Sequence, residues 1–239
     1  MKNLTKLSLV LAVFVFTTQV NAQLRYGVKG GLNFTNVAFN YAIPADEIDT
    51  QLKPGFYLGA VVSYPINDML NFESGLVLST KGFNYNHKDE VGSGATVTGY
   101  DRSTITYLII PLHVTYDINQ FQIGIGPYVG FGLSGKRKYD YTIQDGGLDR
   151  NFGEEKYVFM SKVGPNDVGN NEIPIKGLDV GLDFSVGYMV SDILKINAEL
   201  GLGLTNLTPE ITDEPNFNPA DYKTMNRAFS IGVSYFLGE

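Results

Sequence analysis

Gln122-Ile123-Gly124-Ile125-Gly126-Pro127-Tyr128-Val129-Gly130-Phe131-Gly132-Leu133 decides the fold. Large apolar residues alternate with small ones at a period of two. That period sends successive side chains to opposite faces of a β-strand. The run Leu178 to Val190 repeats it: Leu, Asp, Val, Gly, Leu, Asp, Phe, Ser, Val, Gly, Tyr, Met, Val. One face is large and apolar; the other is mostly Gly, Ser, Asp and Asn.

The chain opens with the pattern of an export signal. Lys2 and Lys6 give a positive start, and Ser8 to Phe16 is an apolar stretch too short to span a bilayer as a helix. Val20-Asn21-Ala22 fits a cleavage site, so the mature start is expected at Gln23. Residues 1–22 are read as a cleaved secretory signal peptide and 23–239 as a single β-barrel domain. The absence of Cys excludes lipid attachment at the leader, disulfides and cysteine metal sites. Without the leader, 16 basic residues face 25 acidic ones, a net charge of −9 that argues against nucleic acid as a partner. The mean hydropathy near zero is compatible with a membrane barrel, because alternation hides the apolar face in the average.

Eight strands are expected, at 24–37, 54–65, 69–83, 101–117, 120–134, 176–190, 192–205 and 224–237. Three connections are turn-like: Ile66-Asn67-Asp68, Asn119-Gln120 and Ser191-Asp192. The other four, near 38–53, 84–100, 135–175 and 206–223, are long and rich in Gly, Pro, Asn and Asp. Segment 135–175 is long enough for a short projecting hairpin, with Lys156 to Lys162 strand-like. Short and long connections alternate. The expected fold is therefore all-β: an eight-stranded antiparallel up-and-down transmembrane β-barrel, with short periplasmic turns and long extracellular loops. Pro111 and Pro127 are expected to mark bulges or kinks in their strands.

The polar stripe decides which face is outside. A soluble exterior would be dense in Lys, Glu and Asp. Here Gly124, Gly126, Gly181, Gly187, Gly201, Ser185 and Ser230 dominate it, as suits the cramped interior of a narrow barrel. The apolar stripe (Leu178, Val180, Leu182, Phe184, Val186, for example) is nearly free of charge, as a lipid-facing surface must be. Tyr26, Tyr64, Tyr116, Tyr188 and Tyr235 share its phase near one set of strand ends, and Phe34, Phe56 and Phe131 near the other. They read as two aromatic girdles at the membrane interfaces. The expected location is the cell outer membrane, crossed many times, with lipid as the immediate partner.

Charged and polar residues in the inward phase are Arg25, Lys29, Glu73, His113, Asp179, Asp183, Lys195 and Glu199. In so narrow a lumen they are expected to interlock as a polar plug, since unpaired buried charge is costly. His87, in an external loop, could serve lipid-modifying chemistry only with a loop serine such as Ser93, and the spacing matches no recognised pattern. No nucleotide fingerprint, metal triad or nucleophile elbow is present, so no metal, cofactor or enzymatic activity is expected.

Gly27-Val28-Lys29-Gly30-Gly31-Leu32-Asn33-Phe34-Thr35-Asn36 resembles the first strand of the PorT-like outer-membrane β-barrel proteins of the Bacteroidetes. Tyr107-Leu108-Ile109-Ile110-Pro111-Leu112-His113-Val114 is similar to their fourth strand, and Phe229-Ser230-Ile231-Gly232-Val233-Ser234-Tyr235-Phe236 to their closing strand. The chain departs from the common aromatic ending of barrel proteins, since Leu237-Gly238-Glu239 follow Phe236. The residues lead to the expectation of a monomeric, porin-like, non-enzymatic barrel with a closed polar lumen, whose external loops bind a partner or support the envelope. The resemblance implies, as the alternative, a place in a type IX secretion or gliding apparatus, with other envelope or secretion proteins as partners.

Overall fold

The computed structural model describes residues 24–41, 50–91, 95–145, 147–212 and 217–237. The expected leader, residues 1–22, and the mature start at Gln23 lie outside them. Among the described residues, the strands are β1 (Arg25–Tyr41), β2 (Thr50–Gln51), β3 (Lys53–Pro65), β4 (Leu70–Lys81), β5 (Asn84–Val91), β6 (Ala95–Ile118) and β7 (Phe121–Gln144). They continue as β8 (Leu148–Phe159), β9 (Lys162–Val163), β10 (Glu172–Ile175), β11 (Leu178–Ser191), β12 (Leu194–Gly203), β13 (Glu210–Ile211) and β14 (Tyr222–Phe236). A short 3-10 helix, Pro219–Asp221, precedes β14 and is capped by the Asn218 side chain.

The count of strands is larger than the eight expected. Long strands β1, β3, β4, β6, β7, β11, β12 and β14 each pair antiparallel on both edges, and the pairings lead from β1 round to β14 and back to β1. The remaining strands, from two residues to the 12 of β8, are additions beyond one end. The expected loop 84–100 holds β5 and the start of β6, and the expected loop 135–175 holds the end of β7, all of β8, and β10. The reason is visible in the sequence. Tyr139, Tyr141 and Ile143 do alternate with Asp140, Thr142 and Gln144, but the basic run Lys136-Arg137-Lys138 and a change of phase at Leu133 break the pattern just before them. The ring is accordingly uneven: β12 has 10 residues, while β6 and β7 have 24 each.

Both chain ends described, and the turns at 66–69, 119–120 and 192–193, lie at one end, here the turn end. Asn67 Oδ1 accepts the backbone N–H groups of Met69 and Leu70 at 2.9 Å each, which closes the first turn. Asn119 takes φ +56° in the second, a conformation Asn tolerates better than most residues. The opposite, loop end carries the additions.

Pro111 and Pro127 do not make the expected bulges. Pro127 stays in register against Leu182, and Pro111 against Tyr128. Pro111 opens a gap in the β4–β6 ladder between Ile109 and Leu112 without shifting it, and Ser74 Oγ donates to its carbonyl at 2.8 Å. Register shifts fall instead at Val190, between Met189 opposite Lys195 and Ser191 opposite Leu194, and at Leu133, where Tyr107 faces Gly132 but Thr106 faces Ser134. One extra residue exchanges the faces of β7. Even-numbered residues point inward before it, and odd-numbered ones after it.

Outward side chains of the ring are apolar and open: Leu32 is 57% exposed, and Phe56 and Leu58 62% each. Inward positions hold polar groups, tyrosines and glycines. The glycines make room for rings. A Cβ at Gly181 would strike the Tyr128 ring, and one at Gly232 the Tyr57 hydroxyl and the backbone of Gly30. An interior of charges under an exterior of oil inverts the arrangement of a water-soluble barrel.

Candidate functional site

The ring encloses a ladder of ion pairs. Nearest the turn end, Lys195 Nζ donates to both oxygens of Glu73 at 2.7 and 2.9 Å and to Gln122 Oε1 at 2.7 Å. Next, Lys29 pairs with Glu199, while Asn197 Nδ2 donates to Glu199 at 3.3 Å and to the Tyr57 hydroxyl at 3.1 Å. His113 Nε2 lies 3.2 Å from Asp183 Oδ2. Nearer the loop end, Lys81 Nζ meets Asp179 Oδ2 at 2.8 Å, with the two side chains 4% and 0% exposed. Asp179 also accepts from the Tyr128 hydroxyl at 3.3 Å and from Asn226 Nδ2 at 2.9 Å, and Lys81 lies 4.3 Å from the centre of the Tyr128 ring. A cavity of about 50 Å³ between these levels has room for only about three waters.

Register places the partners together. Lys29, Glu73, Lys81, His113, Asp179, Asp183, Lys195 and Glu199 are odd-numbered residues on strands whose odd phase points inward, and partners on strands across the ring meet in the middle. Three lysines face four carboxylates, with the His113 ring beside one of them, Asp183. Seven of the eight residues expected in the lumen join this ladder. Arg25 does not. It sits at the turn-end mouth, stacked 4.3 Å from the centre of the Phe236 ring, and donates to the Asp192 backbone carbonyl. Lys81 was not among the expected residues, although it follows Glu73 in phase at the end of β4. Tyr57, Tyr128 and Gln122 were also missed, because aromatic residues were assigned to the girdles and amides carried no charge signal.

The girdle residues Tyr26, Tyr64, Tyr116, Tyr188, Tyr235, Phe56 and Phe131 are all outward and exposed; Phe34 is half-buried in the same phase. Tyr188 donates to Gln120 Oε1 at 2.7 Å and packs edge-on to Phe121, which ties it to the neighbouring turn.

A second cluster lies toward the loop end. Arg137 holds Asp101 through Nε at 3.1 Å and Nη2 at 3.0 Å, and reaches Glu155 at 3.4 Å. His87 Nε2 lies 2.9 Å from the same Asp101 carboxylate, its ring edge-on to Tyr85 at 4.7 Å. Burial pushes the Tyr157 phenol above its ordinary value, so it stays a neutral hydroxyl bonded to Ser103 Oγ at 2.9 Å. Farther out, hydrogen bonds from Arg150 hold the Asp140 carboxyl below its usual range. Ser93, the expected companion of His87, lies outside the described residues. Among the described residues, no group of three or more His, Asp or Glu side chains could hold a metal.

No curated relative matches the chain by sequence. Among solved structures, it is similar to Ail, the attachment invasion locus protein of Yersinia pestis, at 11% identity over 89% of this chain and 98% of that one, with a TM-score of 0.38. It is also similar to the outer membrane protein OprG of Pseudomonas aeruginosa at 13% identity, over 91% and 98%, with a TM-score of 0.36. A third is the outer membrane protease OmpT of Escherichia coli, at 11% identity over 92% and 100%, with a TM-score of 0.35. The sequence profile of one family covers residues 18–209, from before the first strand to beyond β12. With its alternating strands, oil-facing exterior and charged interior, this chain belongs to the outer membrane protein β-barrel domain family.

Proposed function

We propose that the eight-membered ring is the membrane-spanning unit of a closed, non-enzymatic, monomeric barrel. Its turn end faces the periplasm, and its loop end presents an extracellular sheet to a partner. The observation that carries the closed lumen is the ladder of ion pairs from Lys195 to Asp179, which crosses the interior from strand to strand. Moving an ion past it requires parting buried pairs, and an eight-stranded ring is only wide enough for side chains to fill. The test is conductance in a planar bilayer. The purified barrel gives no stable channel steps; sustained unitary conductance overturns the reading.

The partner role is supported by the reach of β6 and β7. A strand tilted at about 45° crosses the hydrocarbon in about 9–11 residues. At about 3.3 Å per residue, the 24 residues of each extend about 80 Å, so more than half of each strand projects. The absence of enzymatic action is supported by Asp101. Two guanidinium nitrogens of Arg137 fix its carboxylate, so it braces His87 within a salt-bridged cluster. Tagged protein from native membranes in mild detergent is expected to carry a bound envelope protein. Co-purified secretion components would point to the apparatus that the family resemblance implies, whereas recovery of bare monomer would count against any partner. An altered lipid A profile in a deletion strain would overturn the non-enzymatic reading.

A further inference from the structure

The outward surface changes character abruptly at the loop-side edge of the apolar band. Leu108 and Leu133 are the last large apolar residues on the outer faces of β6 and β7. Beyond them the same faces carry Arg102 and Thr104 on β6, and Lys136 and Lys138 on β7. Thr104 lies opposite Lys136, and Arg102 opposite Lys138. Lys53, at the start of β3, completes the wall of a cleft of about 440 Å³ between these side chains. The bulge at Leu133 builds this site, since without it Lys136 and Lys138 would point inward.

The charge is unbalanced. One carboxylate, Glu154, is shared by Lys136 and Lys138 at 3.4 Å each, and hydrogen bonds from both hold it below its usual range. Among the described residues, Arg102 and Lys53 have no carboxylate at ion-pair distance. Arg102 lies 4.4 Å from the centre of the Tyr100 ring, which orients the guanidinium while leaving its N–H fork open. A cationic cleft on a chain of net charge −7 is a local feature against the general trend.

Height selects the ligand. Lys136 is three residues past Leu133, about 10 Å along the strand and about 7 Å along the membrane normal at 45° tilt. The headgroup layer is about 5–8 Å thick on each side of the hydrocarbon. Lysine and arginine stems are long enough to adjust their heads within that layer. A guanidinium fork beside two ammonium groups matches the oxygens of a phosphate.

We propose that this cleft binds the phosphate of a lipid headgroup in the leaflet at the loop end. It anchors the barrel to that lipid and sets its depth. The inference rests on the reading of this surface as membrane-embedded, with the loop end outside. The test uses the full barrel refolded into phosphatidylcholine nanodiscs, with bisphosphorylated lipid A and its dephosphorylated form as probes, read by native mass spectrometry. The phosphorylated form is retained preferentially. The triple variant R102Q/K136Q/K138Q loses about tenfold or more of that retention, since each basic residue at an anionic surface contributes to binding. The control K162Q/K176Q/K223Q retains it. Equal retention of both lipids, equal loss in the control, or displacement by inorganic phosphate alone would overturn the proposal. Heat-modified gel mobility checks that the variants fold. Protease access to loop-end tags on intact cells tests orientation separately: shielded tags with lipid retention intact would refute the orientation and leave the cleft standing.

Discussion

Replacing Lys81 with Met isolates the energetics of the lumen. Lys81 and Asp179 are almost fully buried and 2.8 Å apart. At an effective dielectric near 20, that separation corresponds to a gross attraction of about 6 kcal/mol. Both desolvation costs offset much of it, so the net value of the pair is small. Removing only the lysine is different. Asp179 then stays ionised and enclosed, or must take up a proton, and such half-broken pairs cost about 3–5 kcal/mol. The hydrogen bonds from Tyr128 and Asn226 persist and place the expected loss toward the lower figure, about 3 kcal/mol. The double variant K81M/D179N removes the orphaned charge and is expected to recover most of that loss. The assay is urea unfolding in phosphatidylcholine vesicles, followed by far-ultraviolet circular dichroism because the chain has no Trp. If K81M unfolds at the same urea concentration as the native protein, or if the double variant is no more stable than K81M, the pairing does not stabilise the lumen as argued.

Other outcomes follow from the same geometry. Val186→Lys places a cation on the outward face at mid-band and is expected to destabilise the folded barrel by about 2–4 kcal/mol in the same unfolding assay. Gly181→Val drives a side chain into the Tyr128 ring and is expected to abolish the folded, heat-modifiable band on unboiled gels. Asp101→Asn loosens Arg137 and His87 together; limited proteolysis is expected to cut faster beyond Leu133 while the ring stays intact. Asp140 has a depressed folded-state value, so its contribution is present at neutral pH and is lost as pH falls through that value, below the ordinary aspartate value of 3.8. Amide exchange of β7 against β8 should therefore show no carboxylate-linked loosening between pH 5 and 8, relative to Asp140→Asn.

The ring was legible in the sequence wherever its two sides meet different media. Oil on one side and a crowded polar lumen on the other force large residues and small ones into separate phases, as in Ile123 to Leu133. Beyond the band the phase is exchanged at Leu133 and three basic residues follow in a row, so the alternation of Tyr139, Tyr141 and Ile143 with polar neighbours does not read as a continuation of the same strand. The lumen was legible as a set of charges, not as pairs. Lys81 shares a phase with Glu73 and lies within the expected strand 69–83, but nothing near it in the sequence names a partner. Its partner Asp179 is remote in sequence and reaches it only across the closed ring. Proline misled for a simpler reason: it removes one hydrogen bond, and in β6 a gap in one ladder absorbs that loss without a change of register.

The seam between β1 and β14 runs from Gly27 opposite Phe236 to Tyr41 opposite Tyr222. Two strands remote in sequence thus meet edge to edge, so the ring can close only once β14 has been made. Until then, two long raw margins stand open, each able to capture another strand. A truncation before residue 222 would not trim the molecule; it would leave it permanently unsealed, dependent on helper proteins that shield such margins. For this architecture, completeness of the polypeptide is a condition of folding at all.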